Sequence, residues 1–171
     1  GTRIADIGSG TGLLARLFLE AGHTVIGIEP NAEMRAAGDA FLAEFAGFSS
    51  RDAAAEATGL AEGSVDLIVA GQAFHWFDQA KARAEFARIL APGGGVALIW
   101  NERLSDSPFL KDYEALVQQY ATDYGFVDHR RIKADAIRAF FAPHPLHIDS
   151  HPNTQRFDYA ALEGRLRSSS Y

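Results

Sequence analysis

The sequence predicts an α/β fold, a doubly wound and mostly parallel sheet with helices on both faces. Its first hundred residues alternate short, apolar, β-branched segments with helical patterns, which is typical of parallel strands joined by crossover helices. A glycine-rich turn follows the first of these segments directly. The segments also lack the polar alternation of strands that face water on one side, so we expect both faces of the sheet to be covered.

The first strand is predicted at Arg3–Ile7, and it leads directly into glycines at positions 8, 10 and 12. A helix follows, and Gly22 is expected to end it. Four apolar side chains are expected to share one face of this helix, namely Leu13, Leu14, Leu17 and Phe18.

The second strand is predicted at Thr24–Ile28, and it ends at Glu29. Pro30 then forces a turn, and Asn31 is a suitable N-cap for a helix that runs to about Phe45. A short third strand is predicted over residues 48–51.

The fourth strand is predicted over residues 65–70, which are almost entirely apolar. A helix is expected from about residue 78 to 90, with Phe86, Ile89 and Leu90 facing inward. The prolyl-glycine run at residues 92–95 is expected to end that helix, so the fifth strand is predicted over residues 96–100.

Beyond residue 101 the pattern becomes helical and irregular. Ser107 followed by Pro108 is typical of a helix start, and this helix is predicted to reach about Tyr124. Further helices are predicted over residues 129–141 and 159–167, with a possible strand at 146–148. We expect a single domain over residues 1–171, in which 1–101 form the cofactor-binding core and 102–171 the acceptor-side region. A buried strand rarely begins a native chain, so we expect truncation at both ends.

Composition excludes several functional classes. The formal net charge is -6, which disfavours a nucleic-acid partner because such binding requires neutralisation of phosphates. With no cysteine and no regular spacing among the 6 histidines, we expect no metal site. No apolar segment is long enough to cross a membrane, so we expect no membrane partner and a cytoplasmic protein.

The first strand, the glycine turn and the second strand together predict a nucleoside site. Glycine lets the backbone approach a ligand where a Cβ would collide, and the following helix presents its amide groups to that ligand. Glu29 ends the next strand, where an acid can accept hydrogen bonds from both hydroxyls of a ribose.

The spacing disfavours a dinucleotide. The fingerprint for NAD requires glycine or alanine where this chain has Leu13. Asp6 places a negative charge two residues before the first glycine, which suits an anionic pyrophosphate poorly. A cofactor with an ammonium and a sulfonium group would be favoured by that charge. An NAD-dependent oxidoreductase is therefore the weaker alternative.

Five segments resemble, in order, the motifs of the class I S-adenosylmethionine-dependent methyltransferases, which have a Rossmann-like fold: residues 4–12, 25–31, 54–56, 64–69 and 90–95. By this resemblance Asp6, Gly8 and Gly10 surround the methionine half of S-adenosylmethionine, and Glu29 holds the ribose. The full set of cofactor contacts that we expect is Asp6, Gly8, Ser9, Gly10, Gly12, Glu29, Pro30, Asn31, Ala55, Glu56, Gly71 and Gln72. Ala54 departs from the family, because many members carry an acid there beside the adenine amino group.

The segment after the fourth strand, residues 71–78, should face the methyl acceptor because ligands bind beyond the carboxyl ends of parallel strands. It resembles the corresponding segment of the trans-aconitate methyltransferase branch, which implies a small-molecule acceptor such as a carboxylate or hydroxyl. His75 is a candidate general base for a hydroxyl, whereas a carboxylate is already ionised and needs none. Trp76 and Phe77 are expected to pack or to line the pocket.

We therefore expect an enzyme that transfers a methyl group from S-adenosylmethionine to a small molecule. A regulatory or scaffold protein that binds S-adenosylmethionine without turnover is the alternative, because this chemistry requires no obligatory nucleophile. The sequence indicates no oligomeric state.

Overall fold

The computed structural model describes residues 1–102, 104, 106–120 and 134–167. They form two compact units, Gly1–Trp100 and Asn101–Tyr171. The assignment of residues 1–171 to a single domain stays a prediction.

The first unit is built on a five-stranded sheet in which every pairing is parallel. Its strands stand in the order β3-β2-β1-β4-β5. Their bounds are β1 Arg3–Ile7, β2 Thr24–Ile28, β3 Phe48–Arg51, β4 Val65–Gly71 and β5 Leu90–Ile99. The predicted α/β class and parallel sheet are confirmed.

The chain winds in opposite directions from the centre of this sheet. From β1 it moves outward to β2 and β3, and it then returns to β4 and proceeds to β5 on the other side. The connecting helices are α1 Leu13–Glu20, α2 Ala32–Phe41 and α3 Gln79–Ile89. Because such crossovers are right-handed, α1 and α2 cover one face and α3 the other. The direction reverses between β1 and β4, which is where open α/β sheets bind their ligands.

Helix α1 packs on the sheet through a different face from the predicted one. Ala15 and Leu19 are buried in the core, whereas Leu13 is 70% and Leu17 is 62% exposed. Leu14 and Phe18 lie at the border and are partly buried. The small side chain of Ala15 lets the helix approach the strands closely, and this rotates Leu13 and Leu17 away from the sheet.

Helix α2 begins where the sequence predicted and ends earlier. The Asn31 side chain accepts hydrogen bonds from the N–H groups of Glu33 and Met34, both at 3.0 Å. The helix ends at Phe41 instead of about Phe45. Leu42 is the reason, because its fully buried side chain turns into the core cluster at that point.

Strand β5 begins earlier than predicted. Leu90 already pairs with Val65 of β4, and the register shifts before Gly95 pairs with Leu67. The glycines therefore do not form a separate turn. The irregular register absorbs them, and Pro92 is tolerated because β5 lies at an edge of the described sheet.

The second unit contains α4 Pro108–Tyr120, α5 Ala134–Phe141 and α6 Tyr159–Arg167. The last of these has the predicted bounds. The predicted continuations at 121–124 and 129–133 lie outside the described residues. The possible strand at 146–148 is wrong, because that stretch has no strand pairing and Ile148 is 59% exposed. Among the described helices, none combines the length and the apolar character that a membrane span requires.

Candidate functional site

The acid at the end of β2 is hydrogen-bonded to the glycine loop that follows β1. Glu29 Oε2 accepts a hydrogen bond from the backbone N–H of Gly10 at 2.9 Å, and Oε1 accepts one from the N–H of Asn31 at 2.9 Å. The residue is only 7% exposed. A carboxylate has about four lone-pair positions, so each oxygen can accept one further hydrogen bond from a ligand.

The register of β1 and β2 brings Glu29 and the glycine loop together. Ile7 and Ile28 are partners in the parallel pair β1–β2, so both chains leave the sheet at the same level. The carbonyl of Ile28 also accepts hydrogen bonds from the N–H groups of Gly8 at 2.8 Å and Ser9 at 3.2 Å. The glycine loop is thereby attached to the end of β2 through its backbone.

Only one of the three loop glycines leaves space that a ligand could use. A Cβ on Gly8 would lie 2.5 Å from Cβ of Ala73, and one on Gly12 would lie 2.6 Å from Cδ1 of Leu42. A Cβ on Gly10 would meet nothing closer than the flexible end of Met34 at 3.4 Å. Close packing within the protein therefore explains glycine at positions 8 and 12, whereas at position 10 the φ of +55° favours glycine and the space beside it is open.

Asp6 lies in β1 directly before this loop and is 1% exposed. Among the residues that the structure describes, neither carboxyl oxygen has a hydrogen-bond partner. Burial raises the pKa of Asp6 to about 7, the amide of Ala15 partly opposes this without forming a full hydrogen bond, and the charge of Glu29 raises the pKa further. An unpartnered buried carboxyl is costly, which points to a ligand with positive charge.

Two of the residues expected to contact the cofactor use their side chains within the protein. A Cβ on Gly27 would lie 2.7 Å from Ser9 Oγ, so the Ser9 side chain packs over the backbone of β2. The Asn31 amide oxygen caps α2, as described above. Pro30, which directly precedes Asn31, is exposed at the edge of the site.

Two residues of α2 support the site, and sequence reasoning missed both. Arg35 Nη1 donates to the backbone carbonyl of Glu29 at 2.8 Å, and Nη2 contacts Asp52 Oδ2 at 3.3 Å. A Cβ on Gly38 would lie 3.1 Å from the carbonyl oxygen of Gly10, so glycine here lets α2 approach the loop. The isolated glycine inside a helical pattern was a usable signal for Gly38. Arg35 carried no signal.

The loop after β3 is tied to the segment after β4. Ala55 is 5% exposed, and the carboxylate of the adjacent Glu56 accepts a hydrogen bond from the N–H of Asp78 at 2.7 Å. Asp78 in turn caps α3 through the N–H of Lys81 at 3.2 Å. Glu56 therefore joins the side of the site expected to hold adenine to the side expected to hold the acceptor.

A buried hydrogen-bond network holds this same loop on α3. Glu85 Oε1 accepts hydrogen bonds from Thr58 N–H at 2.9 Å and Thr58 Oγ1 at 2.6 Å. Arg88 binds the same carboxylate at 2.7 Å and the carbonyl of Leu60 at 2.8 Å. The hydrogen bonds from Arg88 and Thr58 lower the pKa of Glu85 to about 2. Sequence reasoning also missed this network, because its partners are 27 residues apart.

The end of β4 contributes a backbone conformation that is rare for its residue type. Gln72 has a φ of 59°, and its N–H donates to the carbonyl of Ile99 at 2.9 Å. Left-handed backbone is unfavourable for a residue with a Cβ, and such strain often occurs at functional sites. Gly71 beside it packs on α1, since a Cβ there would lie 3.0 Å from Leu14 Cδ2.

The aromatic segment after Gln72 forms a short 3₁₀ helix, Phe74–Trp76. His75 is half-buried, and its ring lies 4.7 Å from that of Trp76, which is 66% exposed. Phe77 instead packs edge-to-face on Phe86 of α3, with ring centroids 6.1 Å apart. Trp76 is thus available to an acceptor, while Phe77 anchors the segment.

The clustered histidines lie in the second unit. His147 and His151 lie 3.9 Å and 3.6 Å from Asp149, and all three side chains are largely exposed. Within the described ranges no group of three or more histidine, aspartate or glutamate side chains is arranged to hold a metal ion. The expected absence of a metal stays a prediction.

The residues of the first unit fit a nucleoside with a cationic substituent. Glu29 has remaining acceptor capacity beside the loop, Gly10 has no Cβ to block a ligand, and Asp6 is a buried acid without a partner. An anionic pyrophosphate beside the buried Asp6 would be unfavourable. The individual cofactor contacts stay predictions.

Comparison with known proteins gives a consistent result. Residues 5–98 match the family described as "Methyltransferase domain". A protein of Mycobacterium tuberculosis, described as an uncharacterized methyltransferase, is 39% identical over 101 residues, which are 59% of this chain and 40% of the relative. The chain thus spans well under half of the length of this curated relative.

Two solved structures are also similar. An S-adenosylmethionine-dependent methyltransferase from Mesorhizobium loti is 30% identical with a TM-score of 0.51, and the match covers 55% of this chain and 44% of that one. A candidate methyltransferase from an antibiotic biosynthesis pathway of Anabaena variabilis is 26% identical with a TM-score of 0.65, and the match covers 82% of this chain and 53% of that one.

Proposed function

The chain belongs to the methyltransferase domain family, and from this membership we propose that it binds S-adenosylmethionine and transfers its methyl group to a small molecule. The similarity to an S-adenosylmethionine-dependent methyltransferase of Mesorhizobium loti supports this choice of cofactor. The trans-aconitate-like form of residues 71–78 supports a carboxylate or hydroxyl acceptor.

The hydrogen bond between Glu29 and Gly10 is the observation that carries the proposal. It makes the acid after β2 and the backbone after β1 a single rigid unit. The remaining lone pairs of the carboxylate suit the two hydroxyls of a ribose. Asp6 behind the loop suits the positive charge of the cofactor and argues against an anionic dinucleotide.

S-adenosylmethionine supplies an electrophilic methyl group on a sulfonium sulfur. In the transfer, the acceptor atom would form a bond to that methyl carbon as the carbon–sulfur bond breaks, and the electron pair of the broken bond would stay on the sulfur. Such an in-line displacement depends mainly on alignment. The residues of this chain therefore act by binding and orienting, with Gln72 and Trp76 on the acceptor side.

His75 accepts the proton in this proposal only if the acceptor is a hydroxyl. A carboxylate acceptor has no proton to lose at neutral pH. The net charge of -6 further supports a small molecule over a nucleic acid. We also propose that the protein acts in the cytoplasm and without a membrane partner.

The direct test is turnover with a panel of small carboxylic acids and alcohols, measured as release of S-adenosylhomocysteine. We expect product with at least one acceptor, and loss of product in Glu29→Ala with retention in Glu33→Ala, an exposed acid on α2. Tight binding of S-adenosylmethionine without turnover on any acceptor would support the regulatory alternative. Absence of binding would contradict both.

A further inference from the structure

The side chain of Met34 borders the open space beside Gly10. Its terminal methyl carbon, Cε, is the nearest atom to the position of a Cβ on Gly10, at 3.4 Å. Gly38, four residues later on α2, approaches the same loop, because a Cβ there would lie 3.1 Å from the carbonyl oxygen of Gly10. Positions four apart share a helix face, so this face of α2 meets the glycine loop. Met34 therefore forms one wall of the space that Gly10 and its hydrogen-bond partner Glu29 border.

The backbone of Met34 is held in place, while its side chain is accessible. The N–H of Met34 donates to Asn31 Oδ1 at 3.0 Å, in the first turn of α2. The residue is nevertheless 43% exposed, although methionine is among the residue types most often buried. A flexible thioether adapts its shape to the surface that it contacts. We therefore expect the adenosyl group of a ligand beside Glu29 and Gly10 to contact Met34 and to cover part of its apolar surface.

Met34 also carries the sole sulfur atom of the chain, because the sequence has 1 methionine and no cysteine. Hydrogen peroxide oxidises a thioether to a sulfoxide. In this step the sulfur supplies an electron pair to one peroxide oxygen, the O–O bond breaks, an S–O bond forms and the peroxide is reduced to water. Methionine sulfoxide reductases reverse the oxidation. An exposed methionine at the wall of a ligand site is therefore open to reversible chemical change.

Oxidation would change this wall of the site from apolar to polar. A sulfoxide oxygen carries partial negative charge and accepts hydrogen bonds from water, which a bound ligand would displace. The N–H of Gly10, beside Met34, already donates to Glu29 Oε2 at 2.9 Å. The Glu29 carboxylate on the same side of the site is itself negative, which further disfavours the new oxygen. The sulfoxide therefore covers an adenosyl group less favourably than the thioether does.

We propose that Met34 is a site of reversible oxidation by peroxides and that its sulfoxide weakens binding of S-adenosylmethionine. Reduction of the sulfoxide returns the apolar wall and restores binding. Loss of the apolar contact of one partly covered methionine corresponds to about a tenfold loss of affinity. This inference rests on the proposed function, because the adenosyl group is the part of the ligand that Met34 contacts.

The test compares the purified protein before and after treatment with dilute hydrogen peroxide. Mass spectrometry of the protein and its peptides verifies the gain of one oxygen atom at Met34. Catalase removes the peroxide before ligand is added, because S-adenosylhomocysteine contains a thioether of its own. Calorimetry should then show about tenfold weaker binding of S-adenosylhomocysteine by the oxidised protein. Treatment with methionine sulfoxide reductase should restore the affinity. Equal affinities of the untreated and oxidised protein would overturn the proposal.

Two variants separate oxidation of Met34 from damage elsewhere in the protein. Met34→Leu retains an apolar side chain of similar size without sulfur, so its affinity should be close to that of the untreated protein both before and after peroxide. Met34→Gln is polar and of similar length, and it should bind about tenfold more weakly without any oxidant. A loss of affinity in peroxide-treated Met34→Leu would rule out Met34 as the responsible site. Equal affinities of Met34→Gln and Met34→Leu would contradict the apolar contact.

Thermal unfolding of the ligand-free protein distinguishes a contact with the ligand from support of the fold. We expect equal unfolding temperatures for the untreated and oxidised protein, because the side chain of Met34 is exposed and its N–H remains bonded to Asn31. A fall in unfolding temperature large enough to account for the weaker binding would assign the effect to the fold and overturn the proposal. If the untreated protein binds neither S-adenosylmethionine nor S-adenosylhomocysteine, the proposed function fails instead, and that result precedes any oxidation.

Discussion

Glu29 and Gly10 share a hydrogen bond of 2.9 Å from the loop amide to the carboxylate, although they are 19 residues apart in the chain. The bond joins the ends of two adjacent parallel strands at the level where both leave the sheet. The same carboxylate holds the N–H of Asn31 at the start of α2. One side chain therefore fixes the three backbone segments that border the proposed ribose site.

Replacement of Glu29 by alanine should weaken binding of S-adenosylhomocysteine by about 10- to 100-fold. Loss of a charged hydrogen bond costs about 1.5–3 kcal/mol, and tenfold in affinity corresponds to about 1.4 kcal/mol. Isothermal calorimetry gives the affinity, with Glu33→Ala as the matched exposed acid on α2. Unchanged affinity in Glu29→Ala would remove this residue from the site.

Gly10→Ala should fold and bind poorly. A residue with a Cβ at the φ of +55° found for Gly10 destabilises the fold by about 1–2 kcal/mol. The added Cβ would have room, because the nearest atom is the flexible end of Met34 at 3.4 Å. Gly22→Ala is the matched control, because Gly22 has a φ of +83° and nothing within 4 Å of the added Cβ. We expect similar losses in unfolding free energy and a loss of ligand affinity in Gly10→Ala only. Equal affinities would show that position 10 is not in contact with the ligand.

Glu56→Ala should loosen the connection between the loop after β3 and the start of α3. The N–H of Asp78 would lose its 2.7 Å partner, which costs about 0.5–1.5 kcal/mol at a site open to water. Glu56→Gln retains an acceptor oxygen and should restore most of the loss. Donor affinity and acceptor KM are the quantities to measure, and Glu62→Ala, an exposed acid of the following loop, is the control. Equal effects of Glu56→Gln and Glu56→Ala on these quantities would contradict the role of Glu56 as an acceptor that links the loop after β3 to Asp78.

Thr58→Val should destabilise the first unit by about 1–3 kcal/mol. The hydroxyl that it removes donates to Glu85 at 2.6 Å and accepts from the N–H of Leu60 at 3.2 Å, in a fully buried position. Thr24→Val changes an exposed threonine whose hydroxyl donates a long hydrogen bond, 3.4 Å, to the carbonyl of Thr2, and it should alter stability by less than about 0.5 kcal/mol. Urea unfolding compares the two, and equal effects would contradict the importance of the Thr58–Glu85 bond.

Without ligand, stability should fall as the pH rises from about 4 to above 7. The folded-state pKa of Asp6, about 7, exceeds its ordinary value of 3.8, so the folded protein binds more protons than the unfolded chain in that range. By linkage this stabilisation is complete below the lower pKa and is lost through the upper one, a change on the order of 4 kcal/mol. Asp6→Asn should flatten this dependence and be the more stable protein at pH 8. Thermal unfolding over this range measures it, and identical pH profiles for the two proteins would show that Asp6 does not titrate there.

Local signals predicted the first half of the sheet well. Strands β1 and β2 have the predicted bounds because glycine or proline lies close to both ends of short apolar segments, and the short polar β3 after Gly47 also has its predicted bounds. The start of β5 and the orientation of α1 were missed for a common reason. Both depend on packing against distant residues, namely the pairing of Leu90 with Val65 and the close approach that Ala15 permits.

The candidate site shows the same difference between local signals and contacts with distant residues. Asp6, Gly10 and Glu29 could be found in the sequence because their spacing follows from the ends of successive strands. The supporting residues Arg35 and Glu85 could not be found, because they act on partners in other elements, up to 27 residues away. Sequence spacing thus identifies backbone that approaches a ligand, whereas the side chains that hold this backbone become visible only in three dimensions.

The two outer strands of the described sheet differ in how they meet a further chain. Strand β3 is four residues long and polar, which discourages pairing. Strand β5 is ten residues long, and Pro92 blocks strand addition only near its start. Residues 96–99 are apolar, and no described strand pairs with their outer side. The backbone N–H and C=O groups along this rim can therefore accept a further strand.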